Sequence, residues 1–220
     1  MRIFIATAKL DDIRWAHSHG LVDGVLTTPS LLTAQVHPAG VNDLLADICR
    51  VATFPVAITV GAVNAADIYR DARELAKLSD SVIVQIPFVE DAIEAMQRLT
   101  TDGIRVAATL VYNAAQAILA AKAGAGMVCV HVDHLEAQGQ DGVDTIAEIH
   151  QVFETHSIEC DVLAALPRNA AQFTGCALAG ADAIAVSGEV LRALLLHPLT
   201  DRGIDQFLTD LSRTHRTRAK

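Results

Sequence analysis

The sequence predicts a (β/α)₈ barrel with an extra C-terminal helix, on the strength of three observations. Eight short apolar runs alternate with eight longer amphipathic segments, in units of about 25 residues, which is the pattern that such a barrel requires. The chain has 220 residues, 51% of them hydrophobic, enough to bury a large core. No glycine-rich phosphate fingerprint follows the first predicted strand, which counts against a doubly wound dinucleotide-binding sheet. We therefore expect residues 1–220 to form a single barrel domain.

Each predicted strand is a short apolar run bounded by turn residues. The eight strands are predicted at residues 2–6, 21–26, 55–60, 81–86, 105–110, 126–132, 161–165 and 182–186. The segments between them predict helices at residues 9–18, 41–52, 64–78, 89–101, 113–124, 141–156, 169–179 and 188–196, with a ninth at 201–214. Asn64 and Ser187 are suitable N-cap residues, and Gly20, Gly103 and Gly124 follow helices where a left-handed residue is needed. The predicted units thus begin and end at residues that suit their boundaries.

Composition and charge exclude several classes of protein. The formal net charge of −9 argues against nucleic acid or an anionic membrane as the main partner. The four cysteines show no C-x-x-C spacing, which favours a reducing compartment over a disulfide framework. No apolar run approaches the roughly 20 residues of a membrane helix, and the first residues form too short a run for a signal peptide. We expect a cytoplasmic protein that binds neither nucleic acid nor membrane.

The fourth predicted strand carries an unusual polar residue. In residues 81–87 (SVIVQIP), alternation puts Ser81, Ile83 and Gln85 on one face and three aliphatic residues on the other. A strand this apolar is expected to be buried on both faces. Gln85 therefore points into an interior that must supply hydrogen-bond partners, near the end of the barrel where such proteins keep their chemistry.

Seven stretches spread along the predicted barrel form a pattern. They are residues 24–30 (GVLTTPS), 81–87 (SVIVQIP), 109–116 (TLVYNAAQ), 137–139 with Gly142, 163–165, 178–184 and 197–198. Together they resemble the small transaldolase family, most closely its fructose-6-phosphate aldolase branch, over nearly the whole chain. The resemblance implies the barrel fold and a homo-oligomer, pentameric or decameric, in which the C-terminal helix crosses to a neighbouring subunit. We expect no cofactor.

The resemblance also implies a reaction, which this chain cannot perform in the same way. The family cleaves aldols or transfers a three-carbon dihydroxyacetone unit through a Schiff base on a strand-four lysine. Only an amine condenses with a ketone to give that iminium, and the lysine position falls at Gln85, whose amide nitrogen is not nucleophilic. We therefore predict no ordinary transaldolase or fructose-6-phosphate aldolase activity.

Other positions that the resemblance assigns to the site have changed too. The family's strand-one aspartate falls at Ala6, and the asparagine of its Thr-Thr-Asn-Pro-Ser motif falls at Thr28. A strand-six tyrosine that supports proton transfer through a water falls at His131, while Thr109 is retained. So many changes indicate a site that has been rebuilt or abandoned. We expect the pocket to be lined by Gln85, Thr109 and His131, as catalytic candidates, and by Thr28, as a substrate contact.

The phosphate end of the family's site is altered as well. An arginine thought to hold the substrate phosphate falls at His134, and a phosphate-side serine falls at Leu166. Barrels often hold phosphate on the loops after strands seven and eight, which here offer Arg168 and Ser187. Arg168 is either an anion contact or a solvated residue that opens a helix. We predict His134, Arg168 and Ser187 as substrate-binding residues for a small carbonyl compound or sugar phosphate.

The sixth strand carries three groups that bind metals or protons. In residues 128–134 (VCVHVDH), alternation puts Cys129, His131 and Asp133 on the inner face. All three residue types bind zinc, but a site needs three or four converging ligands, and no H-x-H or H-E-x-x-H pair at this strand supplies the others, so we expect no metal. His131 is either a general acid or base or a core histidine bonded to Thr109, Gln85 or water. Cys129 is interpreted as a buried apolar residue rather than a nucleophile.

One lysine elsewhere in the chain is placed to replace the missing amine. Lys9 follows strand one on the face where the site should lie, whereas Lys77 and Lys122 fall on outer helices. Lys9 is early in a loop or helix, so it is either a replacement Schiff-base residue or a surface charge whose pKa is not lowered by burial.

Two classes of function remain open at this point. In one, the protein is an enzyme that uses His131 in proton transfer on a carbonyl compound while Gln85 hydrogen-bonds the carbonyl oxygen. In the other, it is a non-catalytic binding or assembly paralogue. Residues 201–220, the last helix and a basic tail, are expected either to be solvated or to pack on a neighbouring subunit.

Overall fold

The computed structural model describes the backbone of residues 1–218 and the side chains of residues 1–211. Eight parallel strands close into a barrel in chain order, each paired with the next, and β8 pairs with β1. The strands are β1 Arg2–Ala6, β2 Gly24–Thr27, β3 Val56–Thr59, β4 Val82–Pro87, β5 Val106–Val111, β6 Met127–His131, β7 Asp161–Ala165 and β8 Ala183–Ser187. The predicted (β/α)₈ barrel is confirmed, and every predicted strand overlaps an observed one.

Helices alternate with the strands and surround the barrel. They are α1 Leu10–Ser18, α2 Pro29–Thr33, α3 Val41–Val51, α4 Ala65–Ala76, α5 Ala92–Thr101, α6 Ala114–Lys122, α7 Val132–Ala137, α8 Gly142–His156, α9 Ala170–Leu178, α10 Gly188–Ala193 and α11 Pro198–Arg218. A 3₁₀ turn at Pro38–Gly40 precedes α3. Within the described part of the chain, no helix is both long and apolar enough to cross a lipid bilayer.

Three details of the predicted helices were wrong. The short helices α2 and α7 and the 3₁₀ turn were not predicted. The predicted strand 126–132 ends at His131, and the chain turns directly into α7, so Asp133 belongs to a helix rather than to the inner face of a strand. The C-terminal helix begins at Pro198 rather than at residue 201, because proline at the first helical position needs no amide partner. The side chains of the predicted basic tail lie outside the described residues.

The hydrophobic core has two layers, separated by the sheet. The outer layer lies between the strands and the helices. The inner layer fills the barrel and is built mostly from small residues: Phe4, Ala6, Leu26, Ala57, Ile83, Ala107, Met127, Cys129, Leu163, Ala165, Ala183 and Ala185. On β4 the predicted alternation is confirmed, since Ile83 belongs to the inner layer and Val82, Val84 and Ile86 to the outer one. The barrel is therefore a packed core whose free space can lie only at its ends.

Two leucines have a left-handed backbone at the carboxyl ends of their strands. Leu110 has φ 60° and lies at an irregularity in β5, where the pairing with β6 shifts between Thr109 and Val111. Leu166 has φ 61° and directly follows β7. A branched side chain in this conformation costs of order 1 to 3 kcal/mol, and such residues concentrate at functional sites. Both flank β6, which carries His131.

Candidate active site

The first group at the carboxyl end of the barrel is the pair Thr59 and Gln85. Register pairs these residues across β3 and β4, and the Thr59 hydroxyl donates to Gln85 Oε1 at 3.0 Å. The same hydroxyl lies 3.2 Å from the carbonyl oxygen of Thr27, so its one proton is shared between two acceptors. Gln85 is 1% exposed, and its Nε2 finds no hydrogen-bond partner among the described residues. A buried amide is thus held at its oxygen, and its nitrogen makes at most a weak contact with the Cys129 sulfur.

The second group joins β5 to β6. Thr109 Oγ1 lies 3.2 Å from His131 Nε2, and both side chains are buried. Burial lowers the pKa of His131 to about 4, with the neighbouring His134 acting in the same direction and Asp133 against it. The imidazole is therefore neutral at physiological pH. Its second nitrogen, Nδ1, is buried and finds no partner among the described residues.

Helix α7 brings a carboxylate and a second imidazole to His131. Asp133 Oδ1 lies 3.8 Å from His131 Nδ1, and Asp133 Oδ2 lies 4.0 Å from His134 Nε2. The two imidazole rings stack with their centroids 4.7 Å apart and their planes 17° from parallel. The helix begins immediately after the strand, so the first-turn residues 133 and 134 fold back beside the last strand residue. The three side chains form one cluster, which we call the His131 cluster.

Two residues of other elements complete the surroundings of this cluster. The Tyr112 hydroxyl, just after β5, lies 2.7 Å from His134 Nδ1. Partial burial raises the pKa of Tyr112, with Asp133 and Cys129 acting in the same direction. Arg168 is exposed, and its guanidinium donates to the backbone carbonyl oxygen of Asp133 at 3.4 Å. A cation therefore lies at the rim of the cluster, bonded to the main chain of Asp133 and not to its carboxylate.

Cys129 lies in the inner layer beneath these groups. Burial raises the pKa of its thiol to about 12, although Thr109 and Gln85 lie close enough to lower it. A thiol with this pKa carries almost no thiolate at neutral pH, so it is a poor nucleophile and a poor metal ligand without further help. Cys129 connects the Gln85 and Thr109 sides of the site as a small packing residue.

The remaining predicted site residues have local roles. Thr28 is the N-cap of α2, accepting from the Leu31 amide at 3.3 Å, and Ser187 is the N-cap of α10, accepting from the Val190 amide at 3.2 Å. Lys9, the candidate replacement amine, is the exposed N-cap residue of α1. The structure thus brings together Gln85, Thr109, His131 and His134, with Arg168 at the edge. The hydrogen bonds of Thr28, Ser187 and Lys9 tie them to their own helices and loops.

Sequence reasoning missed two contributors, Thr59 and Tyr112, and misplaced Asp133. Thr59 ends the apolar run of β3 on the same face as Gln85, so strand alternation could have found it. Tyr112 stands in the TLVYNAAQ stretch, but its contact with His134 depends on the irregularity of β5 and on α7. Neither feature leaves a signal in the sequence.

A closed parallel barrel with a buried polar cluster at the carboxyl ends of β3 to β6 defines a (β/α)₈-barrel protein with its candidate active site at the usual end of the fold. The particular family follows from comparison with known sequences. The model of the transaldolase/fructose-6-phosphate aldolase family matches residues 3–219, and the chain belongs to that family.

Relatives match over almost their full length. A probable transaldolase of Hyphomonas neptunium is 38% identical over 213 residues, covering 97% of this chain and 98% of that protein. A probable transaldolase of Methanococcus maripaludis strain C7 is 39% identical over 210 residues, covering 96% and 97%. A third, from Rhizobium meliloti, is 36% identical over 214 residues, covering 97% and 98%.

Solved structures share the architecture at low sequence identity. FabK from Thermotoga maritima superposes with a TM-score of 0.58 at 12% identity, covering 84% of this chain and 57% of that one. A mandelate oxidase mutant superposes with a TM-score of 0.58 at 17% identity, covering 87% of this chain and 65% of that one. These two matches support the fold alone.

Proposed function

We propose that this member of the transaldolase/fructose-6-phosphate aldolase family binds a small sugar-like or phosphorylated carbonyl compound, and that it does so without forming a Schiff base. The observation that carries the proposal is Gln85. The family resemblance puts the lysine at this position of β4, and here a buried amide occupies it with its Nε2 unpartnered among the described residues. An amide nitrogen cannot condense with a ketone, but its N–H groups can hydrogen-bond a carbonyl oxygen.

The described lysines support the absence of imine chemistry. The sequence has four lysines, and Lys9, Lys77 and Lys122 are all exposed, each at an end of an outer helix. Burial is what depresses the pKa of an ammonium and frees its lone pair for attack on a carbonyl. Within the described part of the chain, no lysine has such an environment.

The other predicted site residues receive roles from their contacts. Thr109 and His131 form a buried hydroxyl–imidazole pair that can exchange a proton with a substrate placed against Gln85. His134 and Arg168 lie toward the exposed rim, where they suit the anionic end of a phosphorylated compound. The hydroxyl oxygens of Thr28 and Ser187 accept their capping bonds, and an accepting hydroxyl keeps an O–H that can donate to a substrate oxygen.

One observation favours the alternative of a non-catalytic binding or assembly paralogue. Leu166, at the position that the resemblance gives to a phosphate-side serine, packs against the inner core layer. An apolar side chain there removes a phosphate contact. Helix α11 also exposes an apolar stripe, formed by Ile204, Phe207, Leu208 and Leu211, which supports the proposal that the protein is a homo-oligomer.

Borohydride trapping tests the proposal. The protein is incubated with dihydroxyacetone or fructose 6-phosphate, reduced with borohydride, and analysed by mass spectrometry of the intact chain and its peptides. We expect no adduct on the native protein. A covalent adduct on Lys9, or on any other lysine, would overturn the proposal and support an active aldolase that uses another residue.

The variant Gln85→Lys is the positive control for the trapping experiment. It restores an amine at the one position under test and leaves every other residue unchanged. An adduct confined to residue 85 of the variant supports the proposal, because it shows that the pocket admits the ketone and that the native protein lacks only the amine. The carbonyl-binding part of the proposal is wrong if no adduct forms on the native protein or on Gln85→Lys and if calorimetry detects no binding of dihydroxyacetone or fructose 6-phosphate.

A further inference from the structure

Three potential metal ligands converge in the His131 cluster. One ring nitrogen of each histidine and one carboxylate oxygen of Asp133 lie within 4.8 Å of one another. All three residues belong to the junction between β6 and α7, so the turn from strand to helix fixes their arrangement.

The distances within the cluster suit a common ligand better than direct bonds. The carboxylate oxygens lie 3.8 Å from His131 Nδ1 and 4.0 Å from His134 Nε2, which is too long for hydrogen bonds. Two donor atoms about 2.1 Å from one tetrahedral zinc ion lie about 3.4 Å apart. Both separations exceed this spacing, and the three donor atoms lie within 4.8 Å of one another, so side-chain rotation as well as small shifts is needed to form a coordination shell.

The opposite nitrogen of each imidazole is already occupied. His131 Nε2 lies 3.2 Å from the Thr109 hydroxyl, and His134 Nδ1 lies 2.7 Å from the Tyr112 hydroxyl. Metal-binding histidines characteristically donate their second N–H to such an acceptor, which fixes the tautomer and turns the lone pair of the other nitrogen toward the ion. The bonds to Thr109 and Tyr112 leave the other nitrogen of each ring on the side of Asp133. Because the rings stack only 17° from parallel, one of them must rotate for both lone pairs to meet at one ion.

Buried polar atoms give the second, independent observation. His131 is 6% exposed, and its Nδ1 has no partner among the described residues; Asp133 Oδ1 is likewise buried and unpartnered among them. Leaving a buried acceptor without a partner costs about 1 to 3 kcal/mol, and more when it is charged. A cation between Nδ1 and Oδ1 satisfies both atoms at once.

We propose that His131, Asp133 and His134 bind one divalent first-row transition-metal ion, with Zn²⁺ as the reference ion. Two imidazoles and one carboxylate form a donor set that such ions accept, and three protein ligands leave at least one coordination position for water or substrate. The sequence-based expectation of no metal is thereby revised. It relied on alternation along a strand, which paired His131 with Cys129 and left out His134.

This inference deepens the proposed function and rests on it for the nature of the substrate. An ion on His131 Nδ1, at the opposite edge of the ring from the Thr109 contact, can polarise a carbonyl oxygen as a Lewis acid, the task that the missing amine performs through an iminium. An α-hydroxy ketone or aldehyde, which offers two neighbouring oxygens, fits an open coordination position. With Nδ1 on the ion, His131 serves as a ligand, and ion-bound water takes over any proton transfer from the imidazole.

Direct metal titration tests the inference without relying on activity. Untagged full-length protein is stripped with a chelator, dialysed, and titrated by calorimetry with ZnCl₂, CoCl₂ or MgCl₂, and elemental analysis gives the stoichiometry. We expect one equivalent of Zn²⁺ or Co²⁺ per chain, a tetrahedral or five-coordinate Co²⁺ absorption spectrum, and no tight Mg²⁺ binding, because Mg²⁺ prefers oxygen ligands. Failure to bind either transition metal stoichiometrically overturns the inference.

Three variants and a matched control locate the ion. Asp133→Asn and His134→Gln each remove one ligand at the partly exposed side of the cluster, where folding is least disturbed. Tyr112→Phe removes only the hydroxyl on His134 Nδ1 and should weaken Zn²⁺ binding by about 10- to 100-fold, and the ligand variants by more. His156→Gln, at the exposed end of α8, should bind like the native protein. Equal binding by native protein and both ligand variants contradicts the assignment.

The metal experiment and the trapping experiment fail separately. A lysine adduct with stoichiometric Zn²⁺ binding removes the proposed function and keeps the metal site. If no lysine adduct forms and Zn²⁺ does not bind, the metal site is wrong and the proposed function stands. Circular dichroism of each stripped variant confirms that it is folded, and ZnCl₂ should raise the melting temperature of the native protein but not that of Asp133→Asn.

Discussion

Thr109 Oγ1 lies 3.2 Å from His131 Nε2 across the neighbouring strands β5 and β6. By the family resemblance, Thr109 is a retained site residue, whereas His131 stands at the position of a tyrosine. The bond between them fixes the imidazole so that Nδ1 faces Asp133, which decides whether the ring can serve as a proton carrier or as a ligand. Both proposed roles of His131 therefore depend on this hydroxyl.

The first prediction concerns Thr109. Thr109→Val keeps the shape of the side chain and leaves His131 Nε2 buried without a partner, so we expect the free energy of unfolding to fall by about 1 to 2 kcal/mol. Thr109→Ser keeps the hydroxyl and deletes only the buried methyl group, which by itself costs about 1 kcal/mol. Urea denaturation of the two variants measures the difference.

Thr101→Val is the matched control for this pair. The Thr101 hydroxyl donates to the Gln97 carbonyl oxygen on the exposed surface of α5, where water can replace it. Its loss should change the free energy of unfolding by less than about 0.5 kcal/mol. A Thr109→Val variant as stable as the native protein would show that the buried pair is not a hydrogen bond.

The second prediction separates stability from binding at Gln85. Gln85→Leu removes a buried donor that has no partner in the described structure, while Thr59 keeps the Thr27 carbonyl oxygen as an acceptor. We expect the free energy of unfolding to stay constant or to rise by about 1 kcal/mol. Carbonyl-compound binding, measured by calorimetry, should be lost. A residue whose replacement stabilises the protein and abolishes binding is kept for function.

Gln116→Leu provides the contrast for Gln85. Gln116 Oε1 accepts from the Tyr112 amide at 2.8 Å, so this glutamine has a satisfied structural role. Its replacement should lower the free energy of unfolding by about 1 kcal/mol. If both leucine variants are destabilised alike, Gln85 is an ordinary structural residue.

Strand periodicity was sufficient to place most of the candidate site. The period of two predicted that Gln85 faces the barrel interior, and the apolar run around it predicted burial on both sides, as the structure has it. Alternation along the sixth strand likewise located His131, whereas Thr109 was predicted from the family resemblance. In a regular strand, the alternation of apolar and polar residues thus predicts which polar side chains face inward.

Periodicity failed where a strand passed directly into a short helix. The alternation of Val128, Val130 and Val132 continues past the end of β6, and a helix of six residues has too few turns to show its own period. Asp133 was therefore assigned to the wrong kind of element, and the convergence of its carboxylate with His134 was missed. Contacts between elements, such as that of Tyr112 with His134, depend on the barrel register and are set by tertiary structure.

The third prediction concerns the left-handed residue Leu110. Its side chain is 38% exposed and its φ is 60°, a conformation that glycine adopts freely. Leu110→Gly relieves about 1 kcal/mol of backbone strain, which offsets the lost side-chain contacts and the added entropy of the unfolded chain. We expect it to be nearly neutral in urea denaturation.

The control for Leu110 is Leu119, which is 54% exposed in the middle of α6. Leu119→Gly puts glycine into a helix with no strain to relieve, and should cost at least about 1 kcal/mol. The two variants remove the same side chain at similar exposure, so their difference reports backbone conformation. A larger loss at Leu110 than at Leu119 would contradict the assignment of strain to β5.

The fourth prediction is alkaline destabilisation through Cys160. Burial raises the pKa of its thiol from 9.0 to about 12, with Asp161 and Asp182 acting in the same direction. The thiol ionises in the unfolded chain above pH 9 but stays protonated in the folded one, so its contribution to stability is complete below pH 9 and is lost between pH 9 and 12. The slope is about 1.4 kcal/mol per pH unit.

Cys160→Ala isolates this contribution. The stability difference between the native protein and the variant, from urea denaturation, should be constant from pH 7 to 8, where it reports packing alone. Above pH 9 the difference should shrink, because only the native protein loses the thiol's contribution. A difference that stays constant up to pH 11 would mean that Cys160 ionises equally in both states.

The fifth prediction concerns the apolar stripe of α11. Ile204, Phe207, Leu208 and Leu211 follow the i, i+3, i+4, i+7 spacing of one helix face, and Phe207 is 62% exposed. A stripe of this kind in water marks an interaction surface, and the proposed homo-oligomer supplies a second copy of the chain to cover it. Phe207→Glu should therefore dissociate the oligomer in analytical ultracentrifugation. Gln206→Glu adds the same charge one position away, off the stripe, and should leave the assembly intact; if both variants sediment like the native protein, the stripe does not hold the oligomer together.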